Sequence, residues 1–404
     1  MSEPFLPYGR QCIEDDDVAA VAAALRGDYL TTGPAVAEFE RALAARVGAR
    51  EAVVCANGTA ALHLAVASLD LTPGEVCIVP AITFVATANA VRYCGGEVLF
   101  ADVDADTGLL TEASLDEALR RAGGRPPRAV LPVHLAGQAC DLAGLARLAR
   151  QHRLAVVEDA AHAIGSSYAA GNAVFPVGAC AQGDMATFSF HPVKTVTMGE
   201  GGAITTNDAG RAERLRRLRS HGLERRAERF VDAALSRDDR GRPHVWSYEL
   251  GEPGFNYRAT DLQCALGLSQ LAKLDRFIAI RRRLVARYDR NLAVLAPAVR
   301  PLGRQPGGDP AWHLYVALID FAGLGRTRDQ VMADLRQQGI GSQVHYIPVH
   351  RQPYYRERYG PLSLPGAERY YARCLSLPLF AGMSEADVDR AVGALAAALG
   401  LGGR

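Results

Sequence analysis

One lysine in this chain lies in surroundings that would make it reactive. Residues 186–190 form an apolar run that predicts a buried strand, and Lys194 follows shortly after it. A Gly-rich turn at residues 199–202 comes next. Solvated lysines normally lie on polar faces, whereas the neighbours of Lys194 are apolar or small. A desolvated lysine has a lowered pKa and becomes a nucleophile that can form a Schiff base with an aldehyde, although a lysine in a surface turn explains the spacing equally well.

A carboxylate that could work with this lysine lies upstream. Glu158 and Asp159 come at the end of another apolar run, residues 155–158. In open α/β sheets, ligands bind outside the carboxyl ends of the strands. A carboxylate there can keep the ring nitrogen of pyridoxal phosphate (PLP) protonated, so that the ring draws electrons from a bound amine. The alternative is that Asp159 only caps the next helix. Together, Lys194 and Asp159 place a PLP enzyme first among the interpretations.

Further residues suit a cofactor, and each also has an ordinary structural explanation. Gly58 and Thr59 open a predicted helix whose free amides suit a phosphate, although caps of this kind are common. Ser189 could bind the same phosphate or be an ordinary strand residue. Phe84 could stack on a cofactor ring or belong to the core. His162 could orient Asp159 by a hydrogen bond or be a satisfied interior histidine.

Composition and charge restrict the class of protein. The 404 residues are 49% hydrophobic and 22% charged, which is ordinary for a soluble globular chain with two domains. A net charge of +1 gives no reason to expect nucleic acid or a membrane as partner. The ten histidines are scattered and the eight cysteines form no C-x-x-C pair, so we expect no metal site. Without a signal peptide or a bilayer-length apolar run, a cytoplasmic location is predicted.

Strands and helices alternate through the first two-thirds of the sequence. Short runs that are apolar on both faces predict buried, mostly parallel strands. These runs are residues 76–80, 98–101, 129–133, 155–158, 186–190 and 203–206. Helical patterns lie between them, as at residues 60–69 and 142–152. The alternation predicts an α/β sheet covered by helices on both faces.

The remaining sequence predicts a surface insertion and a smaller C-terminal domain. The polar, charged residues 224–252 are typical of a surface insertion or mobile loop. A long helix is predicted to begin near Thr260 and to continue through Phe277, bridging to the smaller domain. That domain has strands at residues 313–319 and 343–347, and helices at residues 327–338 and from Ser384. We place the domain boundary after residue 258, which gives domains 1–258 and 259–404.

Five motifs in order resemble the DegT/StrS-type nucleotide-sugar aminotransferases, which are fold-type I PLP enzymes. These motifs are residues 57–59, 158–162, 189–194, 199–202 and 254–258. The resemblance covers nearly the whole chain. It implies a large domain with a mostly parallel seven-stranded sheet and a smaller C-terminal α/β domain. The family often has serine where this chain has Asn57, and its dehydratase relatives have histidine at the position of Lys194. The lysine therefore favours amino transfer.

The resemblance also implies a role for each matching residue. Lys194 carries the Schiff base with PLP, Asp159 pairs with the ring nitrogen and Phe84 stacks on the ring. His162 belongs to the same cofactor set. The phosphate is held by Gly58, Thr59 and Ser189. Asn256 reaches the cofactor of a second subunit, which implies a homodimer with shared active sites.

A narrower set of motifs resembles the aminotransferases of pseudaminic acid biosynthesis. These are residues 7–11, 29–34, 189–194 and 345–350. The resemblance implies that L-glutamate donates an amino group to C4 of a UDP-linked 4-keto-6-deoxy-N-acetylhexosamine, which gives a UDP-4-amino-4,6-dideoxy sugar. The candidates on the sugar-nucleotide side are Tyr8, Tyr29, Thr31, His345 and Tyr346.

Other functions fit parts of the same pattern. An aminotransferase acting at C4 or C3 of another nucleotide keto-sugar shares much of these motifs. A PLP-binding regulator of the same fold would have no turnover, and the intact Lys194 and Asp159 argue against it. A dinucleotide-dependent oxidoreductase needs a G-x-G-x-x-G turn after the first strand, and the sequence has none there.

Overall fold

The structure is a computed structural model, and it describes residues 4–401. The α-helices are α1 Asp15–Arg26, α2 Pro34–Val47, α3 Gly58–Ala67, α4 Val85–Tyr93, α5 Glu112–Arg121, α6 Leu142–His152, α7 Ala209–Arg219, α8 Ala233–Ser236, α9 Asp261–Ala272, α10 Leu274–Leu292, α11 Arg328–Gln337, α12 Pro353–Tyr359, α13 Pro365–Arg373 and α14 Glu385–Ala398. The strands are β1 Glu51–Cys55, β2 Val76–Pro80, β3 Glu97–Ala101, β4 Ala129–Val130, β5 Ala155–Asp159, β6 Ser167–Ala170, β7 Ala173–Pro176, β8 Met185–Ser189, β9 Gly202–Thr206, β10 Leu223–Glu224, β11 Glu249–Leu250, β12 Val299–Pro301, β13 Gly308–Asp309, β14 Tyr315–Ile319 and β15 Cys374–Leu377.

A seven-stranded sheet forms the centre of the molecule, in the order β1-β9-β8-β5-β4-β2-β3. The pairings from β3 across to β8 are parallel, whereas β9 runs antiparallel to both β8 and β1. Every residue of β2 and β9 is buried, as expected for strands covered on both faces. The predicted α/β class with a mostly parallel sheet is confirmed.

The predicted strands of this sheet are all present, with changes at their ends. β4 is the largest change, because it spans only two residues of the predicted 129–133. Pro132 has no amide proton for the ladder, and Val133 rejoins β5 only through an isolated bridge to Asp159. β1 was not predicted, and it begins with the charged residue Glu51.

The C-terminal part is built around a three-stranded antiparallel sheet, in the order β12-β14-β15. The predicted strand at residues 313–319 is confirmed as β14, and the two predicted helices are confirmed as α11 and α14. Capping boxes at Thr327 and Ser384 begin these helices. The predicted strand at residues 343–347 is wrong, since only Gln343 makes a bridge there, to Ser376 of β15.

The long helix predicted from Thr260 consists of two helices. Thr260 caps α9 as predicted, in a capping box with Gln263. α9 ends at Ala272, and α10 begins after Lys273. α9 packs against α1 and α2, whereas α10 packs against α14. The boundary after residue 258 stays a prediction.

The insertion at residues 224–252 is largely exposed and holds little regular structure. β10 and β11 pair across its base, and the short helix α8 lies between them. Several of its apolar side chains face solvent, including Val245 and Trp246.

Two further findings concern the whole described range. Within residues 4–401, no helix is long and apolar enough to cross a membrane. The same range contains no group of three or more histidine, cysteine, aspartate or glutamate side chains that could hold a metal ion.

Candidate active site

A cavity of about 880 Å³ opens at the carboxyl edge of the large sheet. Asp159 ends β5 and Ser189 ends β8, and these two strands are parallel neighbours. Their carboxyl ends meet at one edge, where α/β proteins bind ligands. The cavity gathers ten of the predicted site residues: Tyr8, Gly58, Thr59, Phe84, Asp159, His162, Ser189, Lys194, His345 and Tyr346.

Lys194 lines the cavity from the segment that follows β8. Its backbone amide donates to the carbonyl of His191 at 2.8 Å, which closes a turn. Burial lowers the pKa of Lys194 to about 8, although the negative charge of Asp159 opposes the shift. Near neutral pH, a useful fraction of this side chain is therefore the neutral amine, which is the form that attacks a carbonyl carbon or accepts a proton.

Asp159 is held in one orientation by two donors. The hydroxyl of Thr87 donates to Oδ2 at 2.6 Å, and the amide of Ala161 donates to Oδ1 at 3.1 Å. The side chain is only 5% exposed. Thr87 was not among the predicted residues. Its hydroxyl also lies 2.7 Å from that of Thr83, four residues earlier, but this spacing gives no sign of a contact with Asp159.

His162 does not orient Asp159, contrary to the predicted hydrogen bond. Both ring nitrogens have other partners, since the amide of Ala136 donates to Nδ1 at 3.3 Å and Nε2 lies 3.0 Å from the Tyr346 hydroxyl. An accepting Nδ1 places the ring proton on Nε2. His162 therefore donates to Tyr346, which leaves the tyrosine proton available to another acceptor.

Three buried histidines of the cavity wall, His162, His313 and His345, are neutral at neutral pH. Burial lowers the pKa of His162 well below its ordinary value, and the positive charge of Lys194 adds to the shift. Burial and the charge of Lys194 lower the pKa of His345 to about 3. Burial also lowers the pKa of His313 well below the usual range. The described lining contains no arginine and one lysine, so Lys194 is its cationic side chain.

The start of α3 and the end of β8 form a phosphate-sized cradle. Asn57 caps α3, and its Oδ1 accepts from the amide of Ala60 at 2.8 Å. The amides of Gly58 and Thr59 have no hydrogen-bond partner among the described residues. A Cβ at position 58 would lie 2.8 Å from the Ser189 Cβ, so glycine is needed for this approach. Free amides at a helix N-terminus suit a phosphate. The residues present therefore fit PLP.

Phe84 offers an aromatic surface beside these groups. It is the N-cap residue of α4 and is 56% exposed although it lines the cavity. Its ring centroid lies 6.1 Å from that of Tyr346. An aromatic side chain left open in a cavity gains most when a flat ligand covers it.

Three predicted residues lie outside the cavity lining. Asn256 is exposed and makes an isolated bridge to Ser220, whereas its neighbour Tyr257 lines the cavity. Tyr29 is 59% exposed. Thr31 is exposed and forms a bridge with Thr260, at the start of α9. The single chain thus does not bring Tyr29, Thr31 and Asn256 to its own cavity.

Fold and cavity together define a PLP-dependent aminotransferase. Residues 11–396 match the DegT/DnrJ/EryC1/StrS aminotransferase family, and the chain belongs to that family.

Solved structures agree with this assignment. Helicobacter pylori PseC, described as an aminotransferase involved in the biosynthesis of pseudoaminic acid, is 28% identical, with a TM-score of 0.87 over 98% of this chain and 99% of that one. A DegT DnrJ EryC1 StrS aminotransferase from Brucella abortus is 32% identical, with a TM-score of 0.81 over 95% of each chain. Spr1654 from Streptococcus pneumoniae is 26% identical in its PLP form, with a TM-score of 0.85 over 98% of this chain and 99% of that one, and it is also solved in a PMP form. The chain is therefore an enzyme that uses PLP to move an amino group from a donor to a keto sugar.

Proposed function

We propose that this enzyme transfers the amino group of L-glutamate to C4 of a UDP-linked 4-keto-6-deoxy-N-acetylhexosamine. The product is a UDP-4-amino-4,6-dideoxy sugar of the kind used for pseudaminic acid, and the reaction takes place in the cytoplasm. The main support is one cavity lined by Lys194 and Asp159 together with His345 and Tyr346 of the 345–350 motif. Similarity to Helicobacter pylori PseC adds to it.

In this proposal, the contacts of the cavity support a cofactor role for each residue. Gly58, Thr59 and Ser189 hold the phosphate, and Phe84 covers the ring. Asp159, fixed by the Thr87 hydroxyl, pairs with the ring nitrogen. When bound, PLP supplies an aldehyde carbon and an electron-withdrawing ring.

Lys194 carries the proton transfers of the reaction. Its amine would hold the aldehyde carbon of the cofactor until the donor binds. The neutral amine, with its pKa lowered to about 8, would then take the proton from the α-carbon of glutamate. In the second half-reaction, Lys194 would return a proton to C4 of the sugar. A positioned acid or base of this kind contributes about 10²–10⁴-fold in rate.

The sugar side of the site is formed by uncharged groups. Nδ1 of His345 lies 2.8 Å from the hydroxyl of Ser376, which fixes the imidazole ring. The ring of Tyr8 lies 5.6 Å from that of His345. In this proposal, Tyr8, His345 and Tyr346 bind the hydroxyl and acetamido groups of the sugar.

The active unit in this proposal is a homodimer with shared sites. A nucleotide diphosphate and a cofactor phosphate are strongly anionic, whereas the described lining of one chain supplies Lys194 as its cation. In this proposal, a second subunit supplies further polar contacts. Tyr29, Thr31 and Asn256 are exposed near the start of α9 and would serve the cavity of the second subunit. An isologous dimer is the commonest way to place one face against its own copy.

The proposed domain division is consistent with this site. Asp159 and Lys194 belong to the proposed domain 1–258, and His345 and Tyr346 belong to the proposed domain 259–404. The cavity then lies between the two proposed domains, and Tyr8 of the proposed domain 1–258 joins His345 and Tyr346 on the sugar side.

A substrate panel tests the proposal. The PLP-loaded enzyme is incubated with glutamate and with UDP-, dTDP- and GDP-linked 4-keto and 3-keto sugars, while 2-oxoglutarate is measured. We expect turnover to be largest with the UDP-linked 4-keto-6-deoxy-N-acetylhexosamine, and NMR of the product to show the new nitrogen on C4. The Lys194→Ala variant provides the blank. A preference for a 3-keto sugar or for another nucleotide would replace this substrate with that one, and no 2-oxoglutarate with any sugar would exclude the reaction.

A further inference from the structure

A second cavity, of about 550 Å³, lies at the opposite edge of the large sheet. It forms where β4, β5 and β8 begin. Arg128 directly precedes β4, Arg153 and Leu154 precede β5, and Asp184 precedes β8. β5 runs from this cavity to Asp159, a distance of roughly 13 Å at the usual rise per residue. The two cavities are thus separate sites at the two ends of the same strands.

Arginines dominate the charged lining of this second cavity. Four of them line it: Arg128, Arg150, Arg153 and Arg211. We call this group the arginine cleft. Its two carboxylates are both engaged, because Asp70 forms an ion pair with Arg214 and Asp184 Oδ2 accepts the amide of Val156 at 2.8 Å. Four arginines stand against these two aspartates, so the lining keeps an excess of positive charge.

The guanidinium groups of the cleft have donors to spare. Within residues 4–401, Arg128, Arg150 and Arg153 form no ion pair. Arg128 donates to the carbonyl of Leu69 at 3.2 Å, and Arg150 lies 3.5 Å from Oε1 of Gln182. Each guanidinium carries five N–H donors in a planar fork, so most of these donors remain available.

Two of these arginines have unusual local surroundings. Arg153 ends α6 in the left-handed region, with φ 56°, where glycine is the usual residue. Nη1 of Arg211 is buried and has no hydrogen-bond partner among the described residues. A bound acceptor would satisfy that donor.

We propose that the arginine cleft binds a compact phosphate-bearing anion, with pyrophosphate as the simplest example. Arginine forks match the oxygens of a phosphate in pairs, and several converging forks select for more than one phosphate group. Both free polyphosphates and nucleoside diphosphates carry this chemistry. The inference does not depend on the identity of the sugar substrate.

Calorimetric titration tests the proposal on the PLP-loaded enzyme in phosphate-free buffer of low salt. Pyrophosphate should bind saturably. The double variant Arg150→Ala/Arg153→Ala should weaken this binding by about tenfold or more, because charge-assisted hydrogen bonds are lost. The matched control is Arg125→Ala, an exposed arginine near the cleft that does not line it. Its affinity should equal that of the wild type. The variant Arg150→Lys/Arg153→Lys keeps the charge but loses the planar fork, so its affinity for pyrophosphate should fall between those of the wild type and the double alanine variant.

A second arm, titration with UDP, distinguishes the sources of the anion. UDP can also bind in the active-site cavity, so the number of UDP sites per chain is the readout. Two UDP sites in the wild type and one in the double alanine variant assign the cleft to nucleotides, whereas an unchanged number of UDP sites with loss of pyrophosphate binding assigns it to free polyphosphates. Visible absorbance of the bound cofactor and the melting temperature check that the variants are folded, and Arg128→Gln gives the same readout should the double variant fail to fold. Absence of saturable pyrophosphate binding, or equal affinity in wild type and folded double variant, would overturn the proposal.

Discussion

The inner wall of the active-site cavity and the exposed face beside the start of α9 differ in how complete they are. The inner wall includes Lys194 and Asp159, and the Asp159 carboxylate has its hydrogen-bond donors, Thr87 and the amide of Ala161, within the chain. The outer face, made by Tyr29, Thr31 and Asn256, is exposed and does not line the active-site cavity of its own chain. One chain thus contains the groups for proton transfer, whereas these three residues lie outside its cavity. In the proposed dimer, the outer face completes the second subunit's cavity.

The largest effect is expected from Lys194→Ala, which removes the nucleophile and the base of the inner wall together. Turnover should fall to background, and borohydride should no longer attach the cofactor to the protein. The fold should persist, because burying an amine disfavours its charged form and alanine avoids that cost.

Lys273, the one other lysine in the sequence, is the internal control. Burial opposes its charge, but hydrogen bonds to Asp16 and Asp17 raise the pKa of Lys273. In the wild type, peptide mapping after borohydride should find the cofactor on Lys194. A label on Lys273 instead, or near-normal activity of the alanine variant, would contradict the assignment.

Asp159→Asn should lower the rate of the chemical step by orders of magnitude. Asparagine keeps the shape of the side chain and its contacts with Thr87, but it has no charge to hold the ring nitrogen protonated. Some PLP should still bind, which cofactor absorbance can follow while single-turnover kinetics with glutamate measure the step. An unchanged rate would mean that Asp159 serves only as a helix cap.

The lowered pKa of Lys194 predicts how cofactor loading depends on pH. The neutral amine attacks the aldehyde, so the rate at which the apoenzyme incorporates PLP should rise with pH and level off above about 8. Below that value, each pH unit should slow loading about tenfold, because the charged form dominates. Stopped-flow absorbance measures the rate. A half-maximal rate near the ordinary lysine value of 10.5 would show that the amine is solvated.

Thr87→Val should reduce kcat about tenfold, because a hydrogen bond to a charged group contributes about 1.5–3 kcal/mol. The matched control is Thr83→Val. The hydroxyl of Thr83 lies 2.7 Å from that of Thr87 and reaches the Asp159 carboxylate only through it, so the loss of kcat should be smaller. Steady-state kinetics of both variants give the comparison. Equal losses would indicate a packing effect of the threonine pair rather than a role in orienting Asp159.

Asn256→Ala tests the outer face and should have the smallest effect. PLP retention should weaken by about 0.5–1.5 kcal/mol, or about twice that with a charged phosphate as partner. Equilibrium dialysis measures the cofactor affinity.

Mixing Lys194→Ala with Asn256→Asp gives the sharper form of this test. Aspartate should repel the phosphate of the site into which it reaches, so each variant alone is inactive. In a mixed dimer, the site that keeps Lys194 receives Asn256 from the other chain and should recover activity. No recovery, with subunit exchange shown independently, would mean that the outer face serves its own chain.

Elements with strong local signals were predicted well. α11 and α14 begin at Thr327 and Ser384 because Ser and Thr caps act within one turn. β15 was not predicted and residues 343–347 were given a strand they lack, since strand pairing depends on partners far away in the sequence. β15 is a strand because it pairs with β14, which lies about sixty residues earlier in the sequence.

The candidate site shows the same division. Lys194 and Asp159 could be identified because each follows an apolar strand, and the ends of neighbouring parallel strands must meet. Thr87 could not be assigned to Asp159 from spacing alone, because 72 residues separate them. The predicted bond between His162 and Asp159 failed because Tyr346, 184 residues away, occupies the imidazole nitrogen.

The sequence by itself determined the order of the functional groups along the chain. These are a phosphate-binding turn, a carboxylate, a lysine and a Gly-rich turn, and each can be recognised from its immediate neighbours. The tertiary structure decided the state of those groups. Burial lowers the pKa of Lys194 to about 8 and keeps the neighbouring histidines neutral. The tertiary structure also places Asn256 outside the cavity while Tyr257 lines it, and it brings four arginines together at the opposite edge of the sheet. Desolvation and side-chain direction depend on what packs around a residue, and in this chain those neighbours come from distant segments.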